Sequence, residues 1–188
     1  MLGPVIWTIM ASFKKGNNLF SSTFSGIEFT FDHYITLFTD TPYMQWYLNT
    51  FILATANMLI SLIVVTMTAY VFSRYRFRGK RNTLMSILVL QMFPAFLSMT
   101  AIYILLSKAN LIDTYTGLLL VYVTGSLPFM TWLVKGYFDA IPTSLDEAAK
   151  IDGAGHLTIF IQIILPLAKP ILVFVGLVSF TGPWMDFI

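Results

Sequence analysis

Apolar residues along this chain come in long runs, and polar residues gather between them. Four runs, at 49–72, 84–106, 117–138 and, less regularly, 163–188, are long enough for a helix to cross a bilayer core, which takes about 20 residues for roughly 30 Å. Lipid cannot hydrogen-bond a bare backbone, so the runs are predicted to be helical. Polar or charged sequence bounds each of them, which predicts separate spans and not one buried core. A shorter apolar stretch at 1–13 is followed by Lys14 and Lys15, the reverse of the charge order in a signal peptide. It is expected to be the distal part of a helix. No polar residues follow the last run, so the chain is expected to be a piece of a longer membrane protein.

Charge placement predicts an orientation. The segment 73–83 holds Arg74, Arg76, Arg78, Lys80 and Arg81 and no acid, as a short cytoplasmic loop does. With helices on either side, 139–162 is also expected to be cytoplasmic, and 14–48 external. The external segment is rich in aromatics and is expected to be a solvated connector with an interfacial aromatic belt.

Composition then removes whole classes of function. Of 188 residues 57% are apolar and 11% charged, whereas a soluble chain carries roughly 25% charge. A net charge of +2 supplies no broad basic field, so nucleic acid is excluded as a partner. Cysteine is absent, which removes thiol catalysis and thiolate metal sites. His33 and His156 are far apart in sequence. Neither a metal nor another cofactor is expected. The fold class is an all-α, polytopic transmembrane helical bundle.

Small and polar residues at helical spacing mark faces turned away from lipid. Thr50, Ala54, Asn57, Ser61 and Thr68 share one arc of the first span, Gln91, Ala95 and Ser98 one of the next, and Gly117, Thr124, Pro128 and Thr131 one of the third. Two readings stay open for these stripes: packing seams, or a passage for a polar solute lined by Asn57, Ser61, Gln91, Ser98, Thr124 and Thr131. Pro94, Pro128, Pro166 and Pro170 are expected to bend the helices without breaking them.

Within 139–162, Ser144 precedes Glu147 by three residues, a capping-box spacing, and Asp146 and Glu147 suit a helix N-terminus. A short helix is predicted from about Ser144, ended by Gly153 in the left-handed conformation, with a second helix resuming near Thr158. Alanine and glycine there let another protein's backbone approach, and Glu147 and Asp152 offer carboxylates to a partner's basic side chains. The run Asp152-Gly153-Ala154-Gly155 lacks the lysine and hydroxyl of a phosphate-binding loop.

Glu147-Ala148-Ala149, Gly153 after three residues, Ile163 after nine more, and Leu165-Pro166 together resemble the EAA loop of the membrane subunits of bacterial ATP-binding-cassette importers. Every fixed position of that motif is present. Stretches such as Gln91-Met92-Phe93-Pro94-Ala95 and Pro183-Trp184-Met185-Asp186-Phe187 are similar to its carbohydrate branch, in particular the second permease subunit of maltodextrin importers. The resemblance implies a type I importer permease in the bacterial cell membrane, importing maltodextrin or a related oligosaccharide. It also implies a heterodimer with a second permease subunit, two cytoplasmic ATPase subunits that hydrolyse the ATP, and an extracellular solute-binding protein. The coupling helix in the ATPase cleft is then carried by Ser144, Asp146, Glu147, Ala148, Ala149, Asp152, Gly153 and Ala154, with Leu165 and Pro166 after it.

Other classes fit less well. An intramembrane enzyme needs convergent acids or a nucleophile–histidine pair inside the spans, and adjacent Asp146 and Glu147 point about 100° apart on a helix. An ion-coupled carrier needs ionisable groups at membrane depth, whereas Lys135, Lys169 and Asp186 lie toward span ends. That carrier and a non-transporting scaffold are the alternatives.

Overall fold

The computed structural model describes residues 2–15, 29–92 and 95–186. Pro94, part of the external segment and the end of the last apolar run lie outside the described residues. The chain forms two compact units, Met1–Asn49 and Thr50–Ile188.

In the first unit, α1 (Gly3–Ser12) carries Pro4 in its first turn, where no amide donor is needed. Phe13 follows it and packs edge-on against Phe31, ring centroids 5.4 Å apart, and at a tilt against Tyr34 at 5.3 Å. The Ser12 hydroxyl lies 2.7 Å from the Tyr34 phenol, and His33 Nε2 lies 2.9 Å from the Lys14 carbonyl. These contacts lead into α2 (Asp32–Thr39), whose first turn holds Asp32 at the positive helix end. Aromatics of the expected external belt are therefore partly packed on one another.

α3 (Tyr43–Arg74) begins before the apolar run does. Further along come α4 (Lys80–Gln91), α5 (Ala95–Lys108) and α6 (Tyr115–Asp139). Among the described residues α3 and α6 are the helices long and apolar enough to cross a membrane. The run 84–106, read as one span, is divided between α4 and α5. Pro128 leaves α6 unbroken.

The run 163–188 is corrected more sharply. α8 (His156–Ile159), a π-helical turn (Phe160–Ile164) and α9 (Leu165–Leu167) form one limb, and α10 (Lys169–Met185) another, with 82° between them. The break falls at Ala168, between Pro166 and Pro170, at φ −91° and ψ 7°. Pro166 and Pro170 each remove an amide donor from the helical ladder, one on either side of Ala168. The helix beyond this point begins at Lys169 and not at Ile163, and only together are the two limbs long and apolar enough for a further, broken span.

One core joins α3, α6, the bent limb and α10. Val65, Ala69 and Tyr70 of α3, Val134 and Phe138 of α6, Ile159 and Ile164 of the first limb and Val175 of α10 pack together with Ala149 of the short helix α7 (Thr143–Ile151). Nearer the other end, Asn57 Nδ2 donates to the Ser179 carbonyl at 2.6 Å, joining α3 to α10 through a buried polar seam.

The entrance to α6 is sterically tight. Asn110 and Asp113 are both left-handed, with φ of 56° and 57°, and Thr114 Oγ1 accepts from the Gly117 amide at 3.0 Å. A Cβ on Gly117 would sit 2.1 Å from the Leu111 carbonyl oxygen, a backbone atom. Gly117→Ala is expected to destabilise the protein by about 1–3 kcal/mol, as overpacking does. Gly125→Ala, with open space at the corresponding position, should be neutral or stabilising. Thermal unfolding of both variants in detergent checks the contrast, and equal melting temperatures would refute it.

Candidate functional site

The 139–162 segment is built on the ends of two long helices. α6 ends with carbonyls that have no partner inside the helix. Arg74, in the last turn of α3, donates from its guanidinium to two carbonyls there, Phe138 and Ile141, each at 3.0 Å. Its Nε lies 2.7 Å from Asp146 Oδ2, with the two side chains only 7% and 9% exposed. Asp146 belongs to the first turn of α7 (Thr143–Ile151), where negative charge is favoured. One cation therefore ties α3, the end of α6 and α7 together. A second tie runs beside it: Ser73 donates to Asp139 at 2.7 Å, and Asp139 also pairs with Lys135.

Pro142 occupies the N-cap of α7 and no side chain caps the helix. The capping box expected from Ser144 and Glu147 is thus not formed. The helix starts two residues earlier than that box requires, at Thr143, which places Ser144 inside the first turn. At the other end Gly153 has φ +86°, with its amide on the Lys150 carbonyl at 3.0 Å and the Ala154 amide on the Ala149 carbonyl at 2.8 Å. That pair of bonds is the Schellman arrangement, and it requires a left-handed residue at Gly153. The next helix starts at His156, two residues before the expected position. His156 is held by Tyr75, ring to ring at 5.2 Å, and Tyr70 stacks on Phe160 at 4.8 Å.

The helical period of α7 then separates its residues into two sets. Asp146 and Ala149 face inward, at 6% and 8% exposure. Ser144, Glu147, Ala148, Asp152 and Gly153 are exposed, as is Pro166, and Ala154 and Leu165 are half-buried. Asp146, grouped at first with the partner-facing residues, is instead an internal anchor because Arg74 draws it in.

Two features escaped the sequence reading. Arg74 looked like one more charge in a basic loop. Ile151 is 87% exposed, four residues after Glu147 and therefore on the same face of α7, and Leu157 follows it at 67%. The signal available for Ile151 was its spacing from inward-facing Ala149, which a helical wheel places on the opposite side.

The solute-path residues are not brought together. Asn57 and Ser61 are buried in the seam against α10, and Thr131 is buried on α6. Gln91 and Thr124 are exposed and Ser98 half-buried, and the Thr124 hydroxyl donates to the Leu120 carbonyl at 2.6 Å. Gln91 is the last residue of α4, and Ser98 lies on α5.

Residues 66–188, which include Arg74, α7 and everything after it, match the family described as binding-protein-dependent transport system inner membrane component. The chain belongs to this family. This inner membrane component is similar to the maltodextrin transport system permease protein MdxG of Bacillus subtilis (strain 168), 42% identical over 186 residues, which are 98% of this chain and 66% of that protein. It is also similar to the galactooligosaccharides transport system permease protein GanQ of the same strain, 45% identical over 188 residues, again 98% of this chain and 66% of that one. A solved structure described as a bacterial ABC transporter involved in the import of the acidic polysaccharide alginate superposes with a TM-score of 0.85 at 28% identity, covering 97% of this chain and 65% of that one. The inner membrane component thus spans about two thirds of the length of the relatives it matches, and it has their all-α, multi-pass permease fold.

Proposed function

We propose that this inner membrane component forms half of the transmembrane pathway of an ATP-driven sugar importer, in a heterodimer with a second permease subunit. α7 is its coupling helix, seated in a cleft of one of two cytoplasmic ATPase subunits. The observation that carries the reading is the two-sidedness of α7: Asp146 and Ala149 fasten it to the membrane helices, while Glu147, Ala148 and Ile151 form an outward face. A short helix held rigidly on one side and open on the other transmits the movement of whatever grips it. In this reading 73–83 and 139–162 face the cytoplasm, ATP is hydrolysed on the partner, and a solute-binding protein delivers the sugar outside. Maltodextrin or a related oligosaccharide is the substrate that the named relatives favour. Gln91, Ser98 and Thr124 remain open to a solute or to the second subunit, whereas Asn57, Ser61 and Thr131 serve packing.

The reading is tested by co-purifying the full-length protein with its ATPase subunit. Ile151→Asp puts a desolvation cost into the interface without touching the core, so ATPase recovery should fall at least about tenfold, the effect of roughly 1.4 kcal/mol. Unchanged recovery would remove α7 from the interface.

A further inference from the structure

The densest positive charge of the chain borders a cavity away from α7. A hollow of about 450 Å³ opens between residues 77–85 and α6, with Lys80 and Arg81 at its lip, Phe77, Leu84 and Trp132 along its wall, and Lys135 on the α6 side. These cations are unequally engaged. Lys135 is paired with Asp139, and Lys80 Nζ lies 3.1 Å from the Tyr75 carbonyl and 3.4 Å from that of Ser73. Arg81 is exposed and has no ion-pair or hydrogen-bond partner among the described residues. The wall is fixed by the Trp132 indole, whose N–H donates to the Leu84 carbonyl at 3.3 Å.

The two halves of this lining select an amphiphile. A guanidinium fork takes a phosphodiester through two parallel hydrogen bonds, and a neighbouring ammonium adds charge. The carbons of the wall need an apolar occupant, which a free anion does not supply. A zwitterionic lipid brings its own cation toward Arg81 and Lys80. Basic pockets between membrane helices suit anionic headgroups, and tryptophan is enriched where headgroups meet acyl chains.

We infer that this cavity binds one anionic phospholipid, its phosphodiester on Arg81 and Lys80 and its glycerol and first acyl carbons against Phe77, Leu84 and Trp132. The inference rests on α3 and α6 lying in a membrane and not on which way they face, so it stands apart from the coupling reading.

The test uses the complete transporter in phosphatidylcholine nanodiscs containing a minority of phosphatidylglycerol, with bound lipids counted by native mass spectrometry. Phosphatidylglycerol should be retained selectively. Arg81→Gln should weaken its retention about fivefold and Arg81→Gln with Lys80→Gln about 25-fold, the change given by roughly 1 kcal/mol per basic residue, with phosphatidylcholine unaffected. The single variant alters an exposed side chain, so it reports binding even if the double variant misfolds. Equal retention in Arg81→Gln would overturn the site. Displacement of the lipid by inorganic phosphate would show a free-anion site instead. A photo-crosslinker at Asn82 should capture lipid; capture of the second permease subunit would show that protein covers the cavity and would refute the proposal.

Discussion

Alanine in place of Arg74 is expected to unfasten the 139–162 segment from the membrane helices. The substitution leaves the Asp146 carboxylate buried with no compensating charge, a change that costs about 3–5 kcal/mol. Two carbonyls, Phe138 and Ile141, lose their donor as well, at about 1 kcal/mol each. Against a total stability of about 5–15 kcal/mol this is a large loss. The melting temperature of the full-length protein should fall, protease should cut within 139–162, and the ATPase subunit should no longer co-purify. Arg74→Met combined with Asp146→Leu should recover most of the stability, since a buried pair is often replaceable by apolar side chains where half a pair is not. Arg74→Lys should fall between, because an ammonium cannot reach a carboxylate and two carbonyls in the guanidinium's planar geometry. Parental melting and protease resistance in Arg74→Ala would show that the ion pair does not hold the segment.

The second large effect is expected on transport. Gly153 has φ +86° and nothing within 4 Å of where a Cβ would stand. Valine there meets no neighbour, so its cost is that of the backbone alone, about 1–2 kcal/mol for a left-handed residue and at the upper end for a β-branched one. The end of α7 and the approach to His156 are set by this residue, so the outward face is displaced. Sugar uptake by the full-length importer should drop about tenfold, within the range such an energy implies, with membrane insertion unchanged. Gly153→Asn should be milder, because asparagine visits this conformation more readily. Measured per inserted molecule, uptake at the parental rate in Gly153→Val would remove α7 from the coupling path.

The all-α membrane class was legible because it depends on run length, which bilayer thickness fixes without reference to tertiary contacts. The family was legible because Glu147-Ala148-Ala149, Gly153, Ile163 and Leu165-Pro166 match, at every fixed position, the EAA loop they resemble. Arg74 was not legible. Its neighbours Arg76 and Arg78 have the same chemistry and are exposed, and only the arrival of Asp146 from 72 positions along the chain distinguishes it. Asn57 and Gln91 illustrate the same limit. Both are carboxamides in apolar runs, yet one is sealed against Ser179 and the other lies at an exposed helix end. Prolines 166 and 170 announced a disturbance, but a bend and a break have the same sequence signature, and the packing of Ile164 and Ala168 into the core selects the break.

That break determines what kind of force the last helix can receive. Two rods meeting at 82° form a bell crank: a push along one arm acts almost wholly crosswise on the other. Motion directed along the His156–Leu167 arm would therefore tip α10 sideways in the bilayer and hardly slide it through. A helix that tips keeps its apolar band level with the hydrocarbon, whereas one that slides must drag its ends out of register with it. If α7 couples to an ATPase as proposed, the elbow at Ala168 would turn a stroke outside the membrane into the form of movement a membrane resists least.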